Sequence, residues 1–184
     1  MLNTFVVYVE DKPGVLTRVA SLFRRRAFNI DSLTVGRTEK AGVSRMTIVV
    51  ETDDTGARRL EAHLYKLINV LLVENVTAAP TVYRELAMIR VSADAAQRSH
   101  IMELVRVFRA KVVDVSPDSL VIEITGTEDK IDGLLQVVQP YGVREIVRTG
   151  RVAIRRGTKA AAVATAGSTN GKDAASSGAI SHSV

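Results

Sequence analysis

Val9-Glu10-Asp11-Lys12-Pro13-Gly14-Val15-Leu16 ends one apolar run and opens another. Between the two stands a charged turn with a Pro-Gly pair. Proline has a fixed φ and no N–H, so Pro13 suits the entry to a helix. Gly14 has no Cβ, so a second molecule can come close to its backbone. The N–H groups of Gly14, Val15 and Leu16 fall in the first turn, where no carbonyl of the same helix reaches them. With the helix dipole they form a small anion site. Asp11 places a negative charge beside it. A carboxylate acceptor next to an ammonium acceptor suits a free α-amino acid. The same residues also make a plain capped turn from strand to helix.

Working outward, residues 2–10 are β-branched and aromatic and predict a strand. Over 14–26, Val15, Leu16, Val19, Ala20, Leu22 and Phe23 follow one helix face. Thr17, Arg18, Ser21, Arg24 and Arg25 fall largely on the other. Arg24-Arg25-Arg26 is read as a solvated helix end, with cations at the negative pole of the dipole. Residues 28–37 and 43–51 predict a hairpin across the turn at 38–42. Asp53-Asp54-Thr55 offers N-caps for a helix whose stripe is Ala57, Leu60, Leu64 and Leu67. His63, beside that stripe, has no second ligand at metal spacing. Asn69 breaks this helix, and 70–77 predicts a fourth strand.

After the linker Ala78-Ala79-Pro80 the order returns. Residues 83–91 predict a strand, with Ser92 to Asp94 capping a helix that carries Ile101, Leu104, Val105 and Phe108. Strands follow at 111–116 and 119–125. Thr127 starts a helix with Ile131, Leu134, Leu135 and Val138, and Pro140 ends it. A strand at 143–148 precedes a short apolar-basic extension, 151–156. The step Phe23-Arg24-Arg25-Arg26-Ala27-Phe28-Asn29 is echoed by Phe108-Arg109-Ala110-Lys111. The expected class is therefore α+β, with two consecutive ferredoxin-like βαββαβ modules over 1–78 and 79–157. Residues 158–184 are Ala, Ser, Thr and Gly with a few charges, and read as a disordered tail.

Composition narrows the function classes. The net charge is +5, but residues 150–184 hold Arg151, Arg155, Arg156, Lys159 and Lys172 against Asp173. The rest is nearly neutral, which argues against a broad phosphate-binding face. Only 4% of residues are aromatic, too few to stack bases on a sheet; no nucleic-acid partner is expected. Without cysteine there is no disulfide framework, thiolate chemistry or cysteine zinc site. No signal peptide and no apolar run of membrane length is evident, so cytoplasmic residence is the default. No catalytic constellation, metal set or nucleotide-binding glycine motif stands out.

Asn29 is the remaining polar candidate; it also reads as a turn residue at the helix end. The helix 14–26 is roughly 20 Å long. Asp11 and Gly14 lie at its start and Asn29 past its end, so one subunit cannot hold one small ligand with both. In a two-fold homodimer with antiparallel helices they can meet. Ligand binding would then depend on quaternary structure, as an allosteric sensor requires.

Asp11, Pro13, Gly14, Val15 and Leu16 entering an amphipathic helix resemble the ACT amino-acid-sensing domain. A longer set is similar to the small regulatory subunit of acetolactate synthase: residues 10–16, 22–26, 28–36 and 44–48, then 84–87, 108–110, 113–117 and 149–157. The resemblance covers about 1–157. It implies a subunit with no active site and no cofactor of its own. Its partner would be the catalytic subunit, which carries thiamine diphosphate, Mg and FAD. It would raise that subunit's activity and confer feedback inhibition by a branched-chain amino acid, first of all valine. The implied effector residues are Asp11, Pro13, Gly14, Val15 and Leu16, with Asn29, Ile30 and Thr34. Two departures stand out. Many members have Asn at position 11 and Gly at position 27. If position 27 is left-handed, Ala27 costs about 1 kcal/mol. The rival functions are a free-standing ACT sensor acting on a different enzyme and a small hydrolase on a ferredoxin-like fold.

Overall fold

The computed structural model describes residues 1–157; the predicted tail lies outside the described residues. The elements run β1 (Leu2–Glu10), α1 (Val15–Arg25), β2 (Ile30–Arg37), β3 (Val43–Glu51), α2 (Asp54–Tyr65) and β4 (Val70–Asn75). They continue as β5 (Thr81–Ser92), α3 (Arg98–Val107), β6 (Lys111–Ser116), β7 (Ser119–Gly126), α4 (Glu128–Val138), β8 (Val143–Arg148) and β9 (Val152–Arg155). A 3-10 turn, Gln139–Tyr141, follows α4, with Pro140 inside it.

The first sheet has the order β2-β3-β1-β4 and the second β6-β7-β5-β8, both antiparallel. This is the ferredoxin-like order twice, as the α+β pattern predicts. Register decides which side chains meet. Phe5 faces Ile48 and Val7 faces Met46 across β1 and β3. With Val9 and Val50 they form one buried face, covered by Val15, Val19, Leu22 and Phe23 of α1 and Leu60 and Leu64 of α2. Each large side chain so buried contributes about 1.5–3 kcal/mol. Ile89, Ile122, Ile101, Ile131 and Leu134 repeat the arrangement in the second core. Asp53 caps α2 as expected, accepting from the Gly56 N–H at 2.6 Å.

The echo between the two halves has a backbone cause. Phe28 N donates to Phe23 O at 3.1 Å, and Ala110 N to Val105 O at 2.8 Å. Both close a helix through a left-handed residue, Ala27 at φ 56° and Arg109 at φ 51°. Position 27 is thus left-handed, and Ala27 carries the Cβ strain that a glycine would not.

Two boundaries differ from expectation for one reason. β5 begins at Thr81 rather than 83, and the extension at 151–156 contains a strand, β9. Thr81 to Arg84 pair with β9, whereas Glu85 to Ser92 pair with β7. The β5–β9 ribbon packs on the face of the first sheet that the helices leave uncovered. Val6, Val76 and Ala153 are buried there, beside Tyr8 and Tyr83. Arg45, over the Tyr8 ring at 5.7 Å, donates to the Ala153 carbonyl. Among the described residues no helix is long and apolar enough to cross a membrane.

Candidate functional site

The turn from β1 into α1 is held from three sides. Asp11 N donates to Gly42 O at 2.8 Å, and Glu10 N to Asn69 O at 2.9 Å. Below it, Asn69 Nδ2 donates to Glu10 Oε2 at 2.6 Å, while Arg18 Nη1 donates to Asn69 Oδ1. Lys12 Nζ meets the same Glu10 oxygen at 2.9 Å. The Lys12 and Asn69 donors hold the Glu10 carboxyl below its ordinary value, against a smaller opposing effect of burial. Glu10 is thus held as a carboxylate and braces the loop.

Gly14 is left-handed, φ 82° and ψ −6°, and stands at the N-cap of α1 with no side-chain cap. A Cβ there would touch nothing within 4 Å; the dihedral, not crowding, calls for glycine. Val15 N makes a long 3.4 Å bond to Lys12 O, and Arg18 N bonds Gly14 O. The N–H groups of Gly14 and Leu16 have no acceptor among the described residues. Beside them Asp11 makes only a loose, exposed pair with Arg37 at 3.5 Å. The entry therefore presents unused donors next to a carboxylate with capacity to spare, which is the chemistry of an amino-acid headgroup site.

The predicted site residues fall in three places. Asp11, Pro13, Gly14, Val15 and Leu16 gather at the start of α1. Val15 is core at 4% exposure, so only its backbone is offered, while Leu16 is 43% exposed. Asn29, exposed, and Ile30, packed on the edge of the first core, lie past the far end of the helix. With 11 residues, α1 spans about 16 Å. Thr34 lies on the sheet face opposite the helices, and its hydroxyl donates to the carbonyls of Thr149 at 3.4 Å and Arg151 at 3.3 Å. Asn69, only 8% exposed, is the supporting residue that sequence reasoning takes for a helix breaker. The only local hint is a polar residue between the apolar Ile68 and Val70.

Two small antiparallel sheets, each with a helix pair on one face, and an open polar helix entry at the first define a tandem ACT-like architecture. Residues 5–72 match the family described as an AHAS small subunit-like ACT domain, and residues 84–157 match the small subunit of acetolactate synthase. The chain is 54% identical over 157 residues to the acetolactate synthase small subunit of Mycolicibacterium smegmatis, covering 85% of this chain and 92% of that one. It is 52% identical over 157 residues to the Mycobacterium leprae protein of the same name, covering 85% and 93%. The crystal structure of the acetolactate synthase small subunit from Thermotoga maritima superposes with a TM-score of 0.79 at 39% identity, over 86% of this chain and 99% of that one. The chain belongs to the acetolactate synthase small-subunit family.

Proposed function

We propose that this chain binds the catalytic subunit of acetolactate synthase, raises its activity and makes it inhibitable by valine. It is a non-catalytic subunit of a cytoplasmic enzyme in branched-chain amino-acid synthesis. The thiamine diphosphate, Mg and FAD belong to the catalytic partner. The carrying observation is the helix entry: left-handed Gly14, unused Gly14 and Leu16 N–H groups, and Asp11 beside them. The ligand's carboxylate sits on the N–H groups and its ammonium on Asp11. Two chains pair with their α1 helices antiparallel, so that Asn29 and Ile30 of one subunit close the pocket of the other. The 1–78 module carries this site and the pairing surface, and the 79–157 module relays the change.

The decisive assay compares the cognate catalytic subunit with and without this chain across a valine titration. Added chain raises the rate, and valine reverses the gain. Gly14→Asp puts a carboxylate where the ligand's carboxylate belongs; inhibition is lost while activation persists. An unchanged valine response in Gly14→Asp refutes the pocket. Co-purification with a thiamine-diphosphate enzyme of another activity would favour the free-standing sensor instead.

A further inference from the structure

Ser32, Leu33 and Thr34 alternate across β2, so Leu33 enters the first core while the two hydroxyls face the other way. What they meet is the segment between β8 and β9. Gly150 is left-handed at φ 82°, and a Cβ there would lie 3.0 Å from Ser32 Cβ and 3.4 Å from Thr34 Oγ1. Conformation and space both call for glycine. The bonds from this segment to β2, across the seam between them, are long: Thr34 Oγ1 to the carbonyls of Thr149 and Arg151 at 3.4 and 3.3 Å, and Arg151 N to Ser32 Oγ at 3.4 Å.

On its other side the segment is held firmly. Arg148 makes a two-pronged contact with buried Glu85, both bonds 3.1 Å, and a third bond to Asp132 at 2.9 Å. Burial opposes the Arg148 charge, but Glu85 and Asp132 outweigh it and leave its pKa raised. Arg151 pairs with Glu128 and lies over the Tyr83 ring at 5.2 Å, and it also reaches back to β1 of the first sheet, donating to Thr4 Oγ1 at 3.2 Å. Glu128 and Asp132 are four residues apart, hence neighbours on one face of α4. Beside the seam an open polar cavity of about 430 Å³ lies between β2 and this clamp, lined among others by Asp31, Glu85 and Glu128.

β2 is an edge strand, bonded only to β3, and its register slips between Ile30 and Ser32. This edge strand thus begins at Ile30, directly after Asn29, and meets the seam two residues further on at Ser32. We propose that Gly150 and Arg151, clamped to α4 through Glu128, form a polar latch that passes effector occupancy from β2 to α4. This rests on the proposed effector site. Contact at Asn29 and Ile30 displaces the edge strand, the long seam bonds shorten or break, and α4 follows because Arg151 and Arg148 grip it. The cavity gives the strand room to move. Arg151 is a positioning residue: it touches no effector.

The test uses the full chain, L-valine as probe and the cognate catalytic subunit. Arg151→Gln and Glu128→Gln bind valine within about threefold of wild type by calorimetry, while the valine concentration for half-inhibition rises about tenfold or more. The double variant is no worse than either single one, because the two side chains act as a unit. Valine changes amide exchange across α4 in the wild type and does not in Arg151→Gln. Ser32→Ala loosens the seam without uncovering a charge, and shifts inhibition in the same direction if Arg151→Gln fails to fold. Variants whose binding and inhibition both match wild type overturn the latch alone. Binding and inhibition weakened by the same factor reduce Arg151 to a structural role and also overturn it. A wild-type chain that neither binds valine nor confers inhibition overturns the effector site, and the latch with it.

Discussion

At the start of α1, Gly14 stands at φ 82° with no side-chain cap, and Asp11 lies beside unused N–H groups. At the start of α3, Gln97 stands at φ −82°, and Asp94 Oδ1 already takes its N–H at 2.8 Å. Arg98 then fills the corner, its Nη2 donating to the carbonyls of Ser116 and Pro117, both at 2.9 Å. Arg144 ties Asp118 and Ser92 across the mouth at 2.7 and 2.8 Å. Topology is the same in both modules, yet one entry is closed by its own side chains and the other is open. Ferredoxin-like topology therefore does not make a ligand site. The proposed effector site rests instead on a left-handed glycine where a capping carboxylate could have stood, together with a brace that holds the loop from outside.

The brace is the most damaging place to break the contrast. Asn69→Ala strips partners from Glu10 and Arg18 together, and is expected to cost about 1–3 kcal/mol in denaturant unfolding. It should also weaken valine binding, measured by calorimetry, because the entry is no longer held. Full stability and full affinity in this variant would show that the loop is self-supporting.

The closed entry should behave as structure only. Asp94→Ala removes a helix-start acceptor and should lower stability by about 0.5–2 kcal/mol. Its valine dose–response should superpose on that of the wild type. A shifted curve would mean that the second entry takes part in effector binding after all.

The smallest effect concerns the feature the two modules share. Ala27→Gly and Arg109→Gly relieve left-handed strain at matching corners, and each should raise stability by about 0.5–1 kcal/mol in thermal or denaturant unfolding. Neither changes a polar contact at the entry. A loss of stability in either would mean that the side chain packs usefully despite its backbone.

The opening loop was legible because its chemistry is local: Asp11, Pro13, Gly14 and the first turn lie within a few residues of one another. The Ala27 corner was raised only through the family resemblance, as a position that costs strain if left-handed, and the backbone is left-handed there. Asn69 was not, because its partners Glu10 and Arg18 are 59 and 51 residues away and no periodicity marks a polar pair. Arg18 looked like one more solvated residue on the outer face of α1. Arg151 looked like part of a basic extension, yet it engages Thr4, Ser32, Tyr83 and Glu128.

The sequence by itself determined the two βαββαβ patterns, the positions of the helices and the glycine-bearing entry. Those follow from hydrophobic period and turn chemistry, which act between near neighbours. Only the tertiary structure decided that β5 serves two sheets, that β9 lies across the first one, and that Thr34 faces the junction rather than the α1 side. These depend on which polar groups of distant segments meet once the cores have formed. Hydrophobic patterning places a strand on a sheet, but it does not say which hydroxyl on the far face will find a carbonyl 115 residues away.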